Sequence, residues 1–440
     1  MPEPMGMAAK PRPPLPEGPY LVVGLARSGS AIARALAERG EEVVGVDSGN
    51  PPAAAGLEGA GVEVNTDTDG SDLLARVNTV VKSPGVPQEA PVVAATRARG
   101  MPVIGELEAS WRLLPNRFAA VTGTNGKTTV TELIGHILRT AGEPVVVAGN
   151  VGTPLASLVG ELGPEATIVC ECSSFQLEDA DAFAPECAVF LNFAPDHLDR
   201  HATLDAYLDA KLRIFANQGP DDVAIHPDEL TVLRPEGIPG EARRADVADP
   251  GELIDEGELP LIGAHNALNA AAATAAAEAL GVDREAVAEG LRTFPGVPHR
   301  LEPVAEIEGV LYVNDSKATN VAAATAALGS FPGRRVRVIL GGSRKGEDFA
   351  ALAEPVAAAC AAAYLIGEAA AALEAALGPA REAGVELHRS GDLAAAISAA
   401  AAEATPGDVV LLAPACASFD AYTDYEQRGE HFRSLVEGLR

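Results

Sequence analysis

The stretch from Phe118 to Thr129, FAAVTGTNGKTT, constrains this chain more than any other. An apolar run ends in a glycine loop, and a helix-forming stretch then extends to about Ala141 and stops at Gly142. That order predicts a βα unit of a parallel sheet, because such strands are covered on both faces and read as continuous apolar runs. The loop itself carries chemistry. Gly123 and Gly126 let backbone N–H groups approach phosphate oxygens, Lys127 reaches the outer phosphates, and the Thr128 hydroxyl is of the kind that ligates magnesium. Thr124, Asn125 and Thr129 complete the cradle. Position 121 is Val121 where the usual phosphate loop has glycine, so this is a shortened version.

The rest of the chain repeats the βα theme. Tyr20 to Gly24, a glycine turn, a helix ending at Gly40 and a strand from Glu42 to Val46 make a βαβ unit, continued by Thr79 to Val81 and Pro102 to Ile104 in a parallel sheet reaching about Leu114. Around the phosphate loop, strands are expected at Val145 to Ala148, Thr167 to Glu171 and Cys187 to Leu191, with helices at Leu204 to Phe215, Ala267 to Leu280 and Arg284 to Leu291. Gly219 to Pro260 reads as short strands and loops. Pro115-Asn116 and Thr293 to Pro298 are breaks. Beyond the second, strands at Val310 to Val313, Arg335 to Leu340, Ala363 to Ile366 and Val409 to Ala413 alternate with helices.

These features predict an α/β protein of three domains: a Rossmann-like N-terminal domain at 19–115, a phosphate-loop domain that binds ATP at 116–296, and a Rossmann-like C-terminal domain at 297–440. With 440 residues, a single core is not expected to organise the chain. Residues 1–18, rich in proline and without an apolar core, are expected to be a disordered leader and not a signal peptide.

Charge and cysteines narrow the partners. The 33 Lys and Arg against 62 Asp and Glu leave a net charge of −29, spread along the chain, which argues against nucleic acid or an anionic membrane as partner. Ala357 to Ile366 is too short to span a bilayer. Five cysteines, mostly inside apolar runs and without metal-ligand spacing, fit small buried hydrophobes in a reduced cytoplasm. A soluble monomer is expected.

Other candidate residues stand at strand ends. Glu171 closes an apolar strand, where a carboxylate is poorly placed unless it meets a cation; Asn150 and the run Asp196-His197-Leu198-Asp199-Arg200-His201 follow two others. In the first domain Gly24-Leu25-Ala26-Arg27-Ser28-Gly29 is a variant of the dinucleotide fingerprint, with Asp47 and Ser48 after the next strand and Ser83 at the same edge. Taken alone, it reads equally as a plain βαβ turn. In the third domain NDSKATN (314–320), GGSRKG (341–346) and PACAS (414–418) each follow a strand. Lys211, on a helix, reads by itself as a solvated lysine.

Together, GTNGKTT, ECSSFQ, DHLDRH, AKLRIF, GAHNALNA, PHRLE, NDSKATN, GGSRKGEDF and PACASFDAYTDYEQRGEHF resemble the Mur ligases of peptidoglycan synthesis, in order from about residue 20 onward. The resemblance implies three α/β domains that bind a UDP-sugar, ATP and an amino acid. It is nearest to the branch that joins D-glutamate to UDP-N-acetylmuramoyl-L-alanine through an acyl phosphate; a sister Mur ligase or a folylpolyglutamate synthase is the alternative.

By that likeness Lys127, His197 and Lys211 are catalytic, and Asn269, Arg300 and Asp315 join the loop residues at ATP. Thr128, Glu171, His197 and Lys211, the last as a carbamate, hold two magnesium ions. Arg27, Ser28, Asp47, Ser48, Ser83, Asn150 and His197 surround the UDP-sugar, and Thr319, Lys345, Ser418 and Tyr425 the D-glutamate. Two positions depart from the family pattern: Tyr425 stands where phenylalanine is frequent, and Arg27 where an apolar residue is.

Overall fold

A computed structural model describes residues 8–197, 200–245, 250–255, 258–344 and 348–440. They form three mainly parallel sheets in two compact units, Met1–Leu259 with Leu268–Phe294, and Pro260–Ala267 with Pro295–Arg440.

In the first unit, β1 (Tyr20–Val23), α1 (Arg27–Glu38), β2 (Val43–Val46), β3 (Glu63–Asn65), β4 (Thr79–Lys82), α2 (Pro91–Ala98), β5 (Val103–Gly105) and α3 (Glu106–Leu113) build a parallel sheet of order β3-β2-β1-β4-β5. Next come β6 (Arg117–Thr122), α4 (Lys127–Thr140), β7 (Val145–Gly149), β8 (Thr167–Glu171), α5 (Ser174–Leu177), β9 (Cys187–Phe190), α6 (Leu204–Leu212), β10 (Val223–Ile225), α7 (Glu229–Leu233) and β11 (Arg243–Arg244). Their sheet, β11-β10-β9-β6-β8-β7, has β6 at its centre. Helices α8 (Ala264–Ala279) and α9 (Arg284–Thr293) follow, and Gly290 of α9 lies close against Ile137 of α4.

Register decides where the loops meet. Val121 pairs with Glu171, Glu171 with Gly149, and Thr122 with Phe190, so the ends of β6, β7, β8 and β9 lie level at one edge. Open α/β sheets bind ligands at that carboxyl edge, where the chain leaves a central strand in two directions.

The second unit contains β12 (Glu302–Ile307), β13 (Val310–Asn314), α10 (Val321–Leu328), β14 (Val336–Gly341), α11 (Ala353–Ala359), β15 (Cys360–Ile366), α12 (Ala370–Ala376), α13 (Gly378–Glu382), β16 (Glu386–Gly391), α14 (Leu393–Glu403), β17 (Val409–Leu412) and α15 (Tyr425–Glu437). The sheet order is β12-β13-β17-β14-β15-β16, with β12 antiparallel to β13 and every other pair parallel. Asn314 and Ile339 both pair with Leu412, so the loops after β13, β14 and β17 leave the sheet side by side. The apolar cores lie on both faces of this sheet.

Two expectations need correction. Beyond Gly105 the chain does not continue as sheet toward Leu114: Glu106–Leu113 is helical, with Glu106 and Glu108 in its first turn, where acidic side chains suit the helix dipole. The expected disordered leader is held in place over residues 10–16. The Lys10 amide and the Arg12 guanidinium both donate to the buried Glu186 carboxylate at 2.9 Å, and Glu186 also accepts from the Phe118 amide at 2.8 Å. Arg12 further lies 4.6 Å over the Trp111 ring, and the Tyr20 hydroxyl donates to the Pro16 carbonyl.

Removing one partner of a buried ion pair strands the other, at about 3 kcal/mol. Arg12→Ala is therefore expected to lower the thermal midpoint of unfolding by about 5 °C in calorimetry. An unchanged midpoint would show that the segment contributes nothing to stability.

Candidate active site

At the edge of the second sheet, Gly123, Thr124, Asn125 and Gly126 form the turn between β6 and α4. Gly126 has φ +84°, and a Cβ there would meet the Asn269 side-chain oxygen at 2.5 Å, so the buried Asn269 packs directly on the loop and excludes any larger residue. Asn125 exchanges two hydrogen bonds with Asn192: its amide donates to Asn192 Oδ1 at 2.9 Å, and Asn192 Nδ2 donates to its carbonyl at 3.1 Å. Thr124 Oγ1 accepts from the Ala194 amide at 3.1 Å and stands 3.3 Å from the Tyr207 hydroxyl. Thr129 is buried in the first turn of α4.

Two cations converge on the Gly123 carbonyl. Lys127 Nζ donates to the Gly123 and Thr124 carbonyls at 3.0 and 2.9 Å, and Lys211 Nζ donates to Gly123 O at 2.7 Å. Lys211 stands in the last turn of α6 and is 1% exposed, with its ammonium 4.6 Å from the Tyr207 ring centre. Burial pushes its pKa down to about 7, helped by the Lys127 charge and opposed by Asp196 and Glu171. Read alone as a solvated helix lysine, it is a core residue.

Glu171, 3% exposed, accepts from the Thr128 hydroxyl at 2.8 Å and from Asn150 Nδ2 at 3.1 Å. The structure thus brings Lys127, Thr128, Asn150, Glu171 and Lys211 together: Asn150 and Glu171 from strand ends, Lys127 and Thr128 from the start of α4, and Lys211 from α6. His197 is exposed, at φ +52°, with its Nε2 3.5 Å from Asp196 and its ring 4.9 Å from Phe175 and 6.1 Å from Tyr207. Leu198 and Asp199, also in that motif, lie outside the described residues.

The first sheet contributes a second cluster to the same unit. Asp47 accepts from the Leu25 amide at 2.7 Å and the Gly49 amide at 2.9 Å, which shapes the turn before α1. A Cβ on Gly29 would lie 1.7 Å from the Gly24 carbonyl, so the fingerprint glycine is required by a close backbone approach. Ser83 is buried against this turn, Ser28 is half-buried and Ser48 exposed. Arg27 reaches across to donate to the Gly152 carbonyl at 2.6 Å, two residues beyond Asn150.

Three further residues at this site were given no role of their own from sequence. Lys82, fully buried at the last position of β4, pairs with Asp179 at 2.8 Å, and Arg200 donates to the Val86 carbonyl at 2.9 Å. Both tie the Ser83–Val86 loop to the second sheet. A lysine ending an apolar strand is the signal that could have found the first; Arg200 belongs to the DHLDRH motif; the third, Asn192, follows the end of β9.

In the second unit, Arg300 and Asp315 come together. Burial raises the Asp315 pKa to about 6, while the Arg300 charge, the Leu301 amide and Lys317 oppose the rise. Thr319 is half-buried after β13, Ser418 buried after β17, and Tyr425 half-buried at the start of α15, its ring 5.7 Å from Lys317 Nζ. Ala415 N donates to Ala318 O at 2.9 Å and Ser343 N to Ala417 O at 2.8 Å, linking the three loops. Lys345 lies outside the described residues.

Comparison with known proteins agrees with this layout. Residues 19–105 match the Mur ligase MurD-like N-terminal domain, 121–234 the Mur ligase middle domain, and 299–416 the Mur ligase glutamate ligase domain. The chain is 42% identical to the UDP-N-acetylmuramoylalanine–D-glutamate ligase of Pelotomaculum thermopropionicum, over 96% of this chain and 97% of that one. It is 43% identical to the ligase of the same name from Sphingopyxis alaskensis, with the same coverage. Among solved structures, the UDP-N-acetylmuramate-alanine ligase MurC of Thermotoga maritima shares the fold, with a TM-score of 0.56 at 20% identity, covering 96% of this chain and all of that one. Three domain matches in order, and relatives at this identity along nearly the whole length, place the chain in the Mur ligase family.

Proposed function

We propose that this chain joins D-glutamate to UDP-N-acetylmuramoyl-L-alanine, with ATP cleaved to ADP and phosphate. The near-full-length identity to ligases of that name carries the choice of substrates. The buried Lys211 beside the phosphate loop carries the chemistry.

A carboxylate resists attack by an amine because it has no leaving group. In this reading the L-alanyl carboxylate attacks the γ phosphorus and displaces ADP; the D-glutamate amine then attacks the acyl phosphate, and phosphate leaves as the amide forms. Gly123 to Thr129 would cradle the phosphates by backbone N–H groups at the start of α4, and Lys127 would turn from its carbonyls to the transferring phosphoryl group. Asn269 would keep the loop in shape from its seat on Gly126.

Thr128 and Glu171, hydrogen-bonded oxygen donors at a buried edge, fit a hard divalent cation, and His197 with Lys211 would complete a second site. Bound there, magnesium supplies charge neutralisation on the phosphoryl oxygens. For Lys211 the reading requires carbamylation, in which the neutral amine adds carbon dioxide and releases a proton, so that a cation becomes an anion. Its depressed pKa supports this, since only the neutral amine reacts.

Arg27, Ser28, Asp47, Ser48, Ser83 and Asn150 would frame the UDP-sugar at the edge of the first sheet. In the second unit Arg300 and Asp315 would contact the nucleotide, and Thr319, Lys345, Ser418 and Tyr425 the D-glutamate. The enzyme would work as a cytoplasmic monomer: its five cysteines are all unpaired thiols, and no described helix is long and apolar enough to cross a membrane.

The test supplies UDP-N-acetylmuramoyl-L-alanine and ATP with D-glutamate, L-glutamate, D-aspartate or L-alanine, reading phosphate release and product mass. Amide product and phosphate in equal amounts with D-glutamate are expected. Equal turnover with L-alanine would move the chain to a sister activity, and phosphate release without amide would make it a nucleotide switch.

A further inference from the structure

Arg428 of α15 is 1% exposed, among the largest fully buried side chains of the protein. Its guanidinium lies beneath the three loops that follow β13, β14 and β17. Nε donates to Ser316 Oγ at 2.9 Å, and Nη2 to Ser316 O at 2.9 Å and Cys416 O at 3.1 Å. Nη1 donates to Ala417 O at 3.3 Å and Gly341 O at 3.5 Å. Ser316 Oγ in turn donates to the Tyr425 carbonyl at 2.8 Å.

Every acceptor is a neutral oxygen. Among the described residues no carboxylate is in ion-pair contact with the guanidinium, and Asp420, which favours its charge from further off, accepts from the Glu368 amide. Burial lowers the pKa only to about 10, so the cation persists at neutral pH. A buried, unneutralised charge is costly, and such a charge is retained where something else uses it.

We infer that Arg428 is the positioning residue of the D-glutamate site, holding the loops that carry Thr319, Ser343 and Ser418 in one arrangement and lending that sheet edge the positive charge an anionic amino acid needs. The inference rests on the proposed function. Guanidinium geometry matters as much as charge: five donors in a planar fork reach carbonyls of the loops after β13 and β17 and of Gly341 at the end of β14 at once, whereas an ammonium is a compact point charge with three donors. The substrate's two carboxylates would then meet loops already ordered, so that little of their attraction is spent on ordering.

Arg428→Ala and Arg428→Lys test this in the full-length chain. Both are expected to raise KM for D-glutamate by about 30-fold, as the loops lose their charge-assisted anchor, with kcat within about threefold and KM for ATP and for the UDP-sugar unchanged. Millimolar guanidinium ion added to Arg428→Ala should restore the KM at least in part. If the alanine variant does not fold, the lysine variant alone decides.

A merely structural arginine predicts the opposite split, with a lower kcat from fewer folded molecules and an unmoved KM for D-glutamate; that result, or an unmoved KM in both variants, overturns the inference. A wild-type chain that fails to use D-glutamate overturns the proposed function instead, and the two failures are told apart by that control.

Discussion

Lys211→Met is expected to lower turnover by about 10³-fold while leaving the protein as stable as before or more so. The two effects have one origin. An ordinary lysine titrates near 10.4, and burial beside Lys127 brings Lys211 down to about 7. Between those values the unfolded chain holds a proton that the folded chain lacks, so stability rises with pH across that window, and below about 7 the cost of burying the ammonium is felt in full. Methionine fills the same space without that cost, although the bond to the Gly123 carbonyl is lost. Thermal midpoints at pH 7 and pH 10, taken in buffer stripped of carbon dioxide so that the amine is unmodified, should show the variant gaining most on wild type at the lower pH. Turnover depends on the same titration, because the neutral amine needed for carbamylation is about half populated at pH 7 here and under about a thousandth for an ordinary lysine. Wild-type activity should therefore fall below pH 7, drop in buffer stripped of carbon dioxide and return with bicarbonate. A Lys211→Met enzyme that turns over normally would remove the carbamate from the mechanism.

How Lys211 escapes a first reading of the sequence shows what local pattern conveys. Its helix buries Tyr207, Leu208 and Leu212, and position 211 falls on the same stripe, four and three residues from the first two. The periodicity was there, but a lysine is ordinarily placed on the solvated face. Arg428 repeats the lesson: Phe432 and Val436 follow it at four-residue spacing on the buried face of α15, while EQRGEH around it reads as solvent-facing. Glu171 was legible because a carboxylate ended an unbroken apolar strand. Strands β6 to β9 of the phosphate-loop sheet were likewise visible as apolar runs closed by glycine or polar residues, whereas β11 is the pair Arg243–Arg244.

What stayed hidden depends on contacts between residues far apart in the chain. Glu302–Ile307 alternates too weakly to announce a strand, and it pairs antiparallel with β13 across a bulge at Pro303 to Ala305. Glu386–Gly391 is largely polar because it is an edge strand, covered on one side only by neighbours. The Arg12–Glu186 pair spans 174 residues, and Lys82–Asp179 joins the first sheet to the second. Local propensity carries no information on such pairings.

Lys127→Met is expected to reduce kcat by about 10³-fold with a much smaller change in ATP binding. The helix N-terminus and the loop amides remain to hold the phosphates in the ground state, whereas the ammonium is needed most where charge builds on the transferring group. The residual activity should carry a second signature. The Lys127 charge is one reason Lys211 loses its proton so readily, so neutralising position 127 lets Lys211 keep it to higher pH. The acid limb of the pH–rate profile should then move upward in the variant, and the demand for bicarbonate at pH 7 should grow. Measuring residual turnover from pH 6 to 9 at fixed bicarbonate checks this. A limb that stays in place would mean that the two lysines, though both bonded to the Gly123 carbonyl, titrate independently, and that burial alone prepares Lys211 for its reaction.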